Sequence, residues 1–600
     1  MWHVTITVVF LVVGLFAGAT FAVTGPGEGV AFKALRPATD PKSYYPGFGY
    51  ELTILKEGTV MEAESGRWHG GTRPLPCDIV FEKDVAVKLR DGTTIYTDVF
   101  RPVGDGPFPV IVAWSGYGKQ GGIQTHSDGP QLWGKLGLST DPRPEWISGL
   151  QKFEGPDPAE WCLHGYVVVN PDSRGAFMSE GHHLVFGEQE GKDGADLIEW
   201  AGTQPWSNGK VGMQGNSWLG VMQWFIAAER PPHLAAIAPW EGFCDMYRDF
   251  VMIGGIPAPG FTDLITSLEF GPGMIEDLRT MVSEQPLMSP YWKSKRANIE
   301  AIEVPVYAVY RTAPALHRTA ECFPRLKSPK WLRFQNTSEW YNQYVPEYMD
   351  DLRRFFDHYL KGIDNGWEST PQVRLAVFDP GLPVEESANS QYSDAPMYAS
   401  VREIDRPEES WPLPDTQYRK MYLNARKRKL SYTRPLVPKT VRYDSTRQLG
   451  KSTFTYQFDK DTELTGYFTV KLWVELKGAK DGDLFVTLDK LSKHGKNLGN
   501  VCKTQMRISH RELDLERSTD WWPVHTHETR KFLSPGEVVP VMIGMPGTSV
   551  YIHEGQKLRL KISGIGNGTF PFPWEENEGI HIIHSGGQYD SYMRAPFIER

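Results

Sequence analysis

The chain has 600 residues, of which 64 are Lys or Arg and 73 are Asp or Glu, giving a formal net charge of −9; 40% of the side chains are hydrophobic and 23% charged. That balance excludes a disordered chain, a polybasic nucleic-acid binder and a multispanning membrane protein, each of which needs a charge or apolar excess that is absent. With 59 glycines and 45 prolines, turns and irregular connections are plentiful, and the length leaves room for several domains.

The leader is apolar from Val4 to Phe16 and ends in the small residues Ala17-Gly18-Ala19 and Thr20-Phe21-Ala22. Residues 1–22 therefore read as a secretory signal peptide cut after Ala19 or Ala22. Its n-region lacks Lys and Arg, and the competing reading is a retained anchor from Trp2 to Val23. Apart from that segment no membrane contact is expected. Cysteines at 77, 162, 244, 322 and 502 form no CxxC pair and no metal-ligand spacing, so in an oxidising compartment they allow at most two disulfides and one free thiol. Triplets at Asn336-Thr337-Ser338 and Asn567-Gly568-Thr569 fit a secreted glycoprotein.

From Asp84 to Pro102, two alternating runs flank Arg90-Asp91-Gly92, which predicts a β-hairpin. Uninterrupted apolar runs follow at Pro109–Trp114, Tyr166–Asn170, Lys210–Met213, Leu234–Pro239, Val304–Tyr310 and Lys330–Phe334. Such runs suit strands covered on both faces, hence a parallel sheet wrapped by helices. Gly191–Thr203 and Pro346–Ile363 carry apolar residues at helical spacing. The alternation predicts an α/β domain over 75–240 and 301–380. Two stretches interrupt it: Gly118–Cys162, rich in Gly, Pro and Trp, and 241–300, which reads as a cap insertion. A Pro-rich connector occupies 381–414. Period-2 runs such as Phe468, Val470, Leu472, Val474 and Leu476 then predict a β-sandwich over 415–600.

Gly215-Asn216-Ser217-Trp218-Leu219-Gly220 lies between a short strand and the helix predicted from Leu219 to Glu229. A nucleophile elbow needs small residues here, because the strand-to-helix turn is so tight that neighbouring chain would clash. The strict motif has Gly where this chain has Leu219, and the competing reading of Ser217 is a helix N-cap. An oxyanion hole requires a donor from the residue after the nucleophile, the Trp218 N–H, and one from the loop after an earlier strand, where Tyr117 offers a phenol. Trp114, Tyr117, Trp218, Trp240 and Phe243 are the expected aromatic lining of the pocket. His233, His525 and His527 read as loop residues. His182-His183 lacks the carboxylates that would complete a metal site.

The elbow, the strand-loop PVIVAWSGYGK, Asp172-Ser173-Arg174-Gly175, the segment 355–367, Ser509–Leu513 and the ending 586–592 together resemble acyl hydrolases of the cocaine-esterase and X-prolyl dipeptidyl-peptidase type. The resemblance implies an α/β-hydrolase domain with a helical cap and a C-terminal jelly roll. It further implies Ser217 as nucleophile, Tyr117 hydroxyl and Trp218 N–H as oxyanion hole, a small-molecule acyl substrate, and neither cofactor nor metal.

The pattern breaks at the partners of the serine. Where the family carries its acid, this chain reads Tyr310-Arg311-Thr312-Ala313-Pro314, and where it carries its histidine, Gln335-Asn336-Thr337-Ser338-Glu339-Trp340, with Ser338 in the histidine's place. His317 and Glu339 are the nearby substitutes, each also readable as a surface or structural residue. Two functions follow. One is a serine acyl hydrolase or acyltransferase with an altered triad, acting on an ester, thioester or amide. The alternative is a hydrolase scaffold that no longer hydrolyses and instead binds a small molecule or promotes its rearrangement or cyclisation.

Overall fold

The computed structural model describes residues 29–35, 47–62, 73–119, 142–267, 269, 271–311, 319–395, 397–566 and 579–599. The leader, the sequon at Asn567 and His317 lie outside the described residues.

The predicted hairpin is present: β1 (Ile79–Lys88) pairs antiparallel with β2 (Thr94–Pro102). The apolar runs become β3 (Phe108–Val112), β4 (Val167–Pro171), β5 (Ser207–Asn216), β6 (Leu234–Trp240), β7 (Val306–Arg311) and β8 (Lys330–Gln335), followed by β9 (Val373–Phe378). Their order across the sheet is β1-β2-β4-β3-β5-β6-β7-β8-β9, parallel from β4 onward. Strand Val401–Glu408 adds antiparallel to β9, so part of the Pro-rich stretch extends this sheet. Side chains alternate across the sheet, which divides the interior into two cores: Val110 and Val112 pack on one side, Ile111 on the other.

Three helices flank the strands. α1 (Glu188–Gly202) buries Ala195, Leu197, Ile198 and Ala201, the face its spacing predicts. α2 (Trp218–Ala228) is apolar all round and buried from Trp218 to Ala227, as a helix covered on every side must be. α3 (Pro346–Lys361) starts on a proline and stops at Gly362 in the left-handed region, burying Met349, Leu352, Phe356 and Leu360.

Between β6 and β7 the chain leaves the sheet and forms short helices, including Gly260–Thr266 and Leu278–Glu284. Cys244 in this segment is disulfide-bonded to Cys322, while Cys77, Cys162 and Cys502 are free thiols. From Gln417 to Ile598 antiparallel strands enclose a separate core that includes Phe468, Val470, Leu472, Leu558 and Leu560. This β domain is joined to the α/β domain by contacts that include the buried Lys490–Asp379 ion pair and the hydrogen bonds from Tyr467 Oη to Ala320 O (3.1 Å) and from Tyr310 Oη to Gly547 O (3.2 Å).

Two sequence-based readings are corrected here, and a third is sharpened. Asn336 is fully buried and donates Nδ2 to Asn389 Oδ1 and Ala399 O, so no glycosylating enzyme reaches that sequon in the folded chain. His525 and His527 lie between elements, as expected of loop residues, but are buried where the β domain meets the cap, with His527 Nδ1 3.0 Å from His510 Nδ1. Trp114 and Trp240 are core residues: Trp240 packs with Tyr307 beneath the sheet, and Trp114 sits in the opposite core.

Candidate active site

Ser217 stands between β5 and α2 at φ +54°, a strained backbone for a residue with a Cβ. The turn is held by Ser217 N–H donating to Trp240 O (3.0 Å) and Val221 N–H donating to Ser217 O (2.8 Å). Its glycines are needed. A Cβ on Gly220 would lie 2.3 Å from Trp240 O, and one on Gly215 would lie 2.4 Å from Leu219 Cβ. Leu219 thus occupies the space that Gly215 leaves open, which is why the departure from the strict motif is tolerated. The Ser217 side chain makes no capping hydrogen bond to α2, so the N-cap reading fails, and the residue is partly exposed.

Two side chains lie close enough to the Ser217 hydroxyl for their acidity to feel it: the Tyr117 phenol and the Glu154 carboxyl. Tyr117 is buried against Phe153 and Trp218, with ring centroids 5.2 and 5.4 Å away. Burial pushes its phenol well above the usual range, and the carboxylates of Glu154, Glu269 and Glu190 add to the shift. It is a neutral donor at any physiological pH. Trp218 is the first residue of α2, so its N–H has no acceptor within the helix. Its indole Nε1 donates to Glu190 Oε1 (2.9 Å), as does that of Trp114 (2.8 Å), and burial pushes Glu190 up to about 7. Phe243, expected in the lining, packs on Phe186 and Phe250.

Glu154 had no role in the sequence reading. It belongs to the Gly118–Cys162 insertion, is 8% exposed, and adopts φ +60°. Asn216, the residue before the serine, holds it twice: the backbone N–H donates to Glu154 O (3.1 Å) and Nδ2 to Oε1 (3.0 Å). Oε2 is buried and makes no hydrogen bond to any described residue, which leaves it open to accept one from the neighbouring Ser217 hydroxyl. Burial pushes this carboxyl well above the ordinary carboxylate range, opposed by the Asn216 hydrogen bond, aided by the charge of Glu241 and opposed also by the nearby Ser217 hydroxyl.

Glu241, at the start of the cap insertion, neighbours the carboxyl of Glu339, neither of whose oxygens has a hydrogen-bond partner among the described residues. Glu339 is fully buried rather than on the surface, and burial together with the Glu241 charge raises it well above the usual range, which disfavours its charged form. Arg311, at the end of β7 where the family's acid was expected, lies against both carboxyls. Ser338 is buried, and its hydroxyl has no partner among the described residues. His183 forms an ion pair with Glu269 through Nδ1 (2.5 Å) and a hydrogen bond with Ser173 through Nε2 (3.3 Å), while its ring packs on Trp218. Burial pulls its pKa down, but Glu269 more than offsets this, so the imidazole is favoured in its charged form. No group of three or more His, Cys, Asp or Glu side chains able to hold a metal occurs among the described residues.

Residues 91–273 match the family model of X-Pro dipeptidyl-peptidase (S15 family), and residues 365–594 match that of the X-Pro dipeptidyl-peptidase C-terminal non-catalytic domain. A CocE/NonD family hydrolase from Staphylococcus aureus superposes with a TM-score of 0.80 at 33% identity, over 92% of this chain and 97% of its own. The chain belongs to the CocE/NonD hydrolase family. Cocaine esterase of Rhodococcus sp. (strain MB1 Bresler) is 34% identical over 165 residues, which is 28% of this chain and only 24% of that enzyme. An aminopeptidase from a marine sediment Thaumarchaeota archaeon shares the fold at 14% identity, with a TM-score of 0.62 over 86% of this chain and 95% of its own.

Proposed function

We propose that the protein is a serine hydrolase of the esterase/peptidase type, with Ser217 as nucleophile and Glu154 in place of the family's histidine as the group that takes its proton. The observation that carries this reading is the Glu154 carboxyl, buried beside the Ser217 hydroxyl with its Oε2 left without a hydrogen-bond partner among the described residues. An unassisted serine hydroxyl is a weak nucleophile at neutral pH, so a positioned acceptor separates acyl transfer from a mere polarising pocket. Glu154 is such an acceptor, and this favours hydrolysis over a scaffold that has lost it.

In the reaction, Ser217 Oγ bonds to the substrate carbonyl carbon as its proton passes to Glu154 Oε2. The carbonyl oxygen becomes an oxyanion held by Tyr117 O–H and Trp218 N–H. As the intermediate collapses, the bond to the leaving group breaks and Glu154 returns the proton to it. Water repeats the sequence on the acyl-enzyme, with Glu154 again accepting and returning one proton, and Ser217 is regenerated. Burial raises the Glu154 carboxyl above the ordinary range, which makes its ionised form a stronger base than that of an exposed glutamate.

We also take residues 1–22 as the leader of an exported protein, a reading supported by the Cys244–Cys322 disulfide, which persists in oxidising compartments. The function is tested by a fluorophosphonate probe followed by peptide mapping. Modification on Ser217, lost in Ser217→Ala, is expected; a fully folded chain that takes up no probe would contradict it.

A further inference from the structure

A cavity of about 400 Å³ opens between the cap and the β domain, within the size range of small-molecule sites. Ser217, Tyr117 and Glu154 do not line it, so it is separate from the nucleophile. Its walls bring together Arg248 from the cap, Arg325 from the turn after the disulfide, and Arg517 from the β domain. Tyr467, Trp521 and Trp522 supply an apolar side; Tyr467 stacks on Trp521 at 4.8 Å and packs 5.1 Å from Trp522.

The acids at this cavity are already engaged. Asp245 pairs with Arg248 (2.9 Å), Glu300 takes both Nε and Nη2 of Arg325 (2.9 Å each), Glu321 accepts from Gly547 N–H (3.2 Å), and Asp249 accepts from Asp245 N–H (3.1 Å). The donors, in contrast, are in excess. The Arg517 guanidinium makes no hydrogen bond to any described residue; the nearest carboxylate, on Asp514, is 3.9 Å away. Arg296, behind the wall, makes no side-chain hydrogen bond among the described residues either, and Arg325 Nη1 faces only Cys244 Sγ at 3.7 Å.

We propose that this cavity is a binding site for a small organic carboxylate with a flat apolar body, whose carboxylate pairs with Arg517 and whose body lies along Tyr467, Trp521 and Trp522. A guanidinium presents its donors in a fixed fork that matches the two oxygens of such a group. The local field agrees with this assignment. Burial and the neighbouring arginines push Arg517 down to about 10, and Arg296 is lowered too, while Asp245 and Glu300 are held below the usual carboxylate range despite their burial. Acids and bases alike thus sense positive charge, which an anion would relieve.

The test is isothermal titration of the full chain with indole-3-acetate and with its neutral counterpart indole-3-acetamide. One site is expected, with the carboxylate at least about tenfold tighter than the amide and weakened by added salt. Arg517→Gln should lower that affinity about tenfold or more, and Arg517→Lys should restore part of it, with circular dichroism confirming that both variants are folded. Prior modification of Ser217 by a fluorophosphonate should leave the titration unchanged. Absence of binding, equal binding of acid and amide, wild-type affinity in Arg517→Gln, or loss of binding on modification of Ser217 would each overturn the proposal. None of these outcomes depends on whether Glu154 serves Ser217.

Discussion

At the residue scale, the proposed chemistry rests on three side chains around one turn. Glu154→Gln keeps the Asn216 contact and the volume of the side chain but cannot accept a proton, so kcat toward a p-nitrophenyl ester should fall about 10²- to 10⁴-fold. Because burial raises the carboxyl, it is protonated and idle at low pH and becomes a base only as pH rises through its shifted pKa. The wild-type rate should therefore climb along a limb lying above the ordinary Glu range, and Glu154→Gln should lose that limb. Tyr117→Phe removes one of two oxyanion donors and should cost about 10²- to 10³-fold in kcat with little change in KM, read from the same assay. Of these residues, Ser217, Tyr117 and Trp218 were legible in the sequence because an elbow and the loop beside it have fixed spacing. Glu154 was not. It lies in an aperiodic Gly- and Pro-rich stretch, 62 residues before the Asn216 that holds it, and no local pattern marks a contact made only by folding.

At the element scale, the strand-to-helix turn works because α2 packs directly on the end of β6. Gly220 is the point of closest approach, and a methyl group there would collide with the Trp240 carbonyl. Gly220→Ala should destabilise the fold by about 1–3 kcal/mol, seen as a lower unfolding temperature, and should slow probe labelling of Ser217 by shifting the turn. The sheet was largely readable from the sequence, since runs of β-branched residues between turn signals leave few alternatives to strands buried on both faces. Side-chain direction was harder. Trp114 and Trp240 sit at strand ends next to the site and were expected to line it, but alternation along the strand turns their rings into the cores. The buried Asn336 and the buried His525 and His527 show the same limit: polar residues between elements look like surface loop until a second domain covers them.

At the scale of the whole molecule, the cap and the chain after β7 are tied together by one covalent link across 78 residues of sequence. Replacing both Cys244 and Cys322 by Ala should cost about 2–5 kcal/mol, measurable as a drop in thermal midpoint, because the link restricts the unfolded chain. The β domain meets the cap at the cavity lined by Arg517, so its contribution extends beyond stability to a surface that neither part forms alone. The claim on which the function rests is that Glu154 activates Ser217. The most direct measurement is the rate of fluorophosphonate labelling against pH for wild type, Glu154→Gln and His317→Asn, with the modified residue mapped. Wild type should label on Ser217 at a rate that rises with pH, Glu154→Gln should label at least about 100-fold more slowly without that rise, and His317→Asn should follow wild type. Wild-type labelling in Glu154→Gln, or loss of labelling in His317→Asn alone, would contradict it.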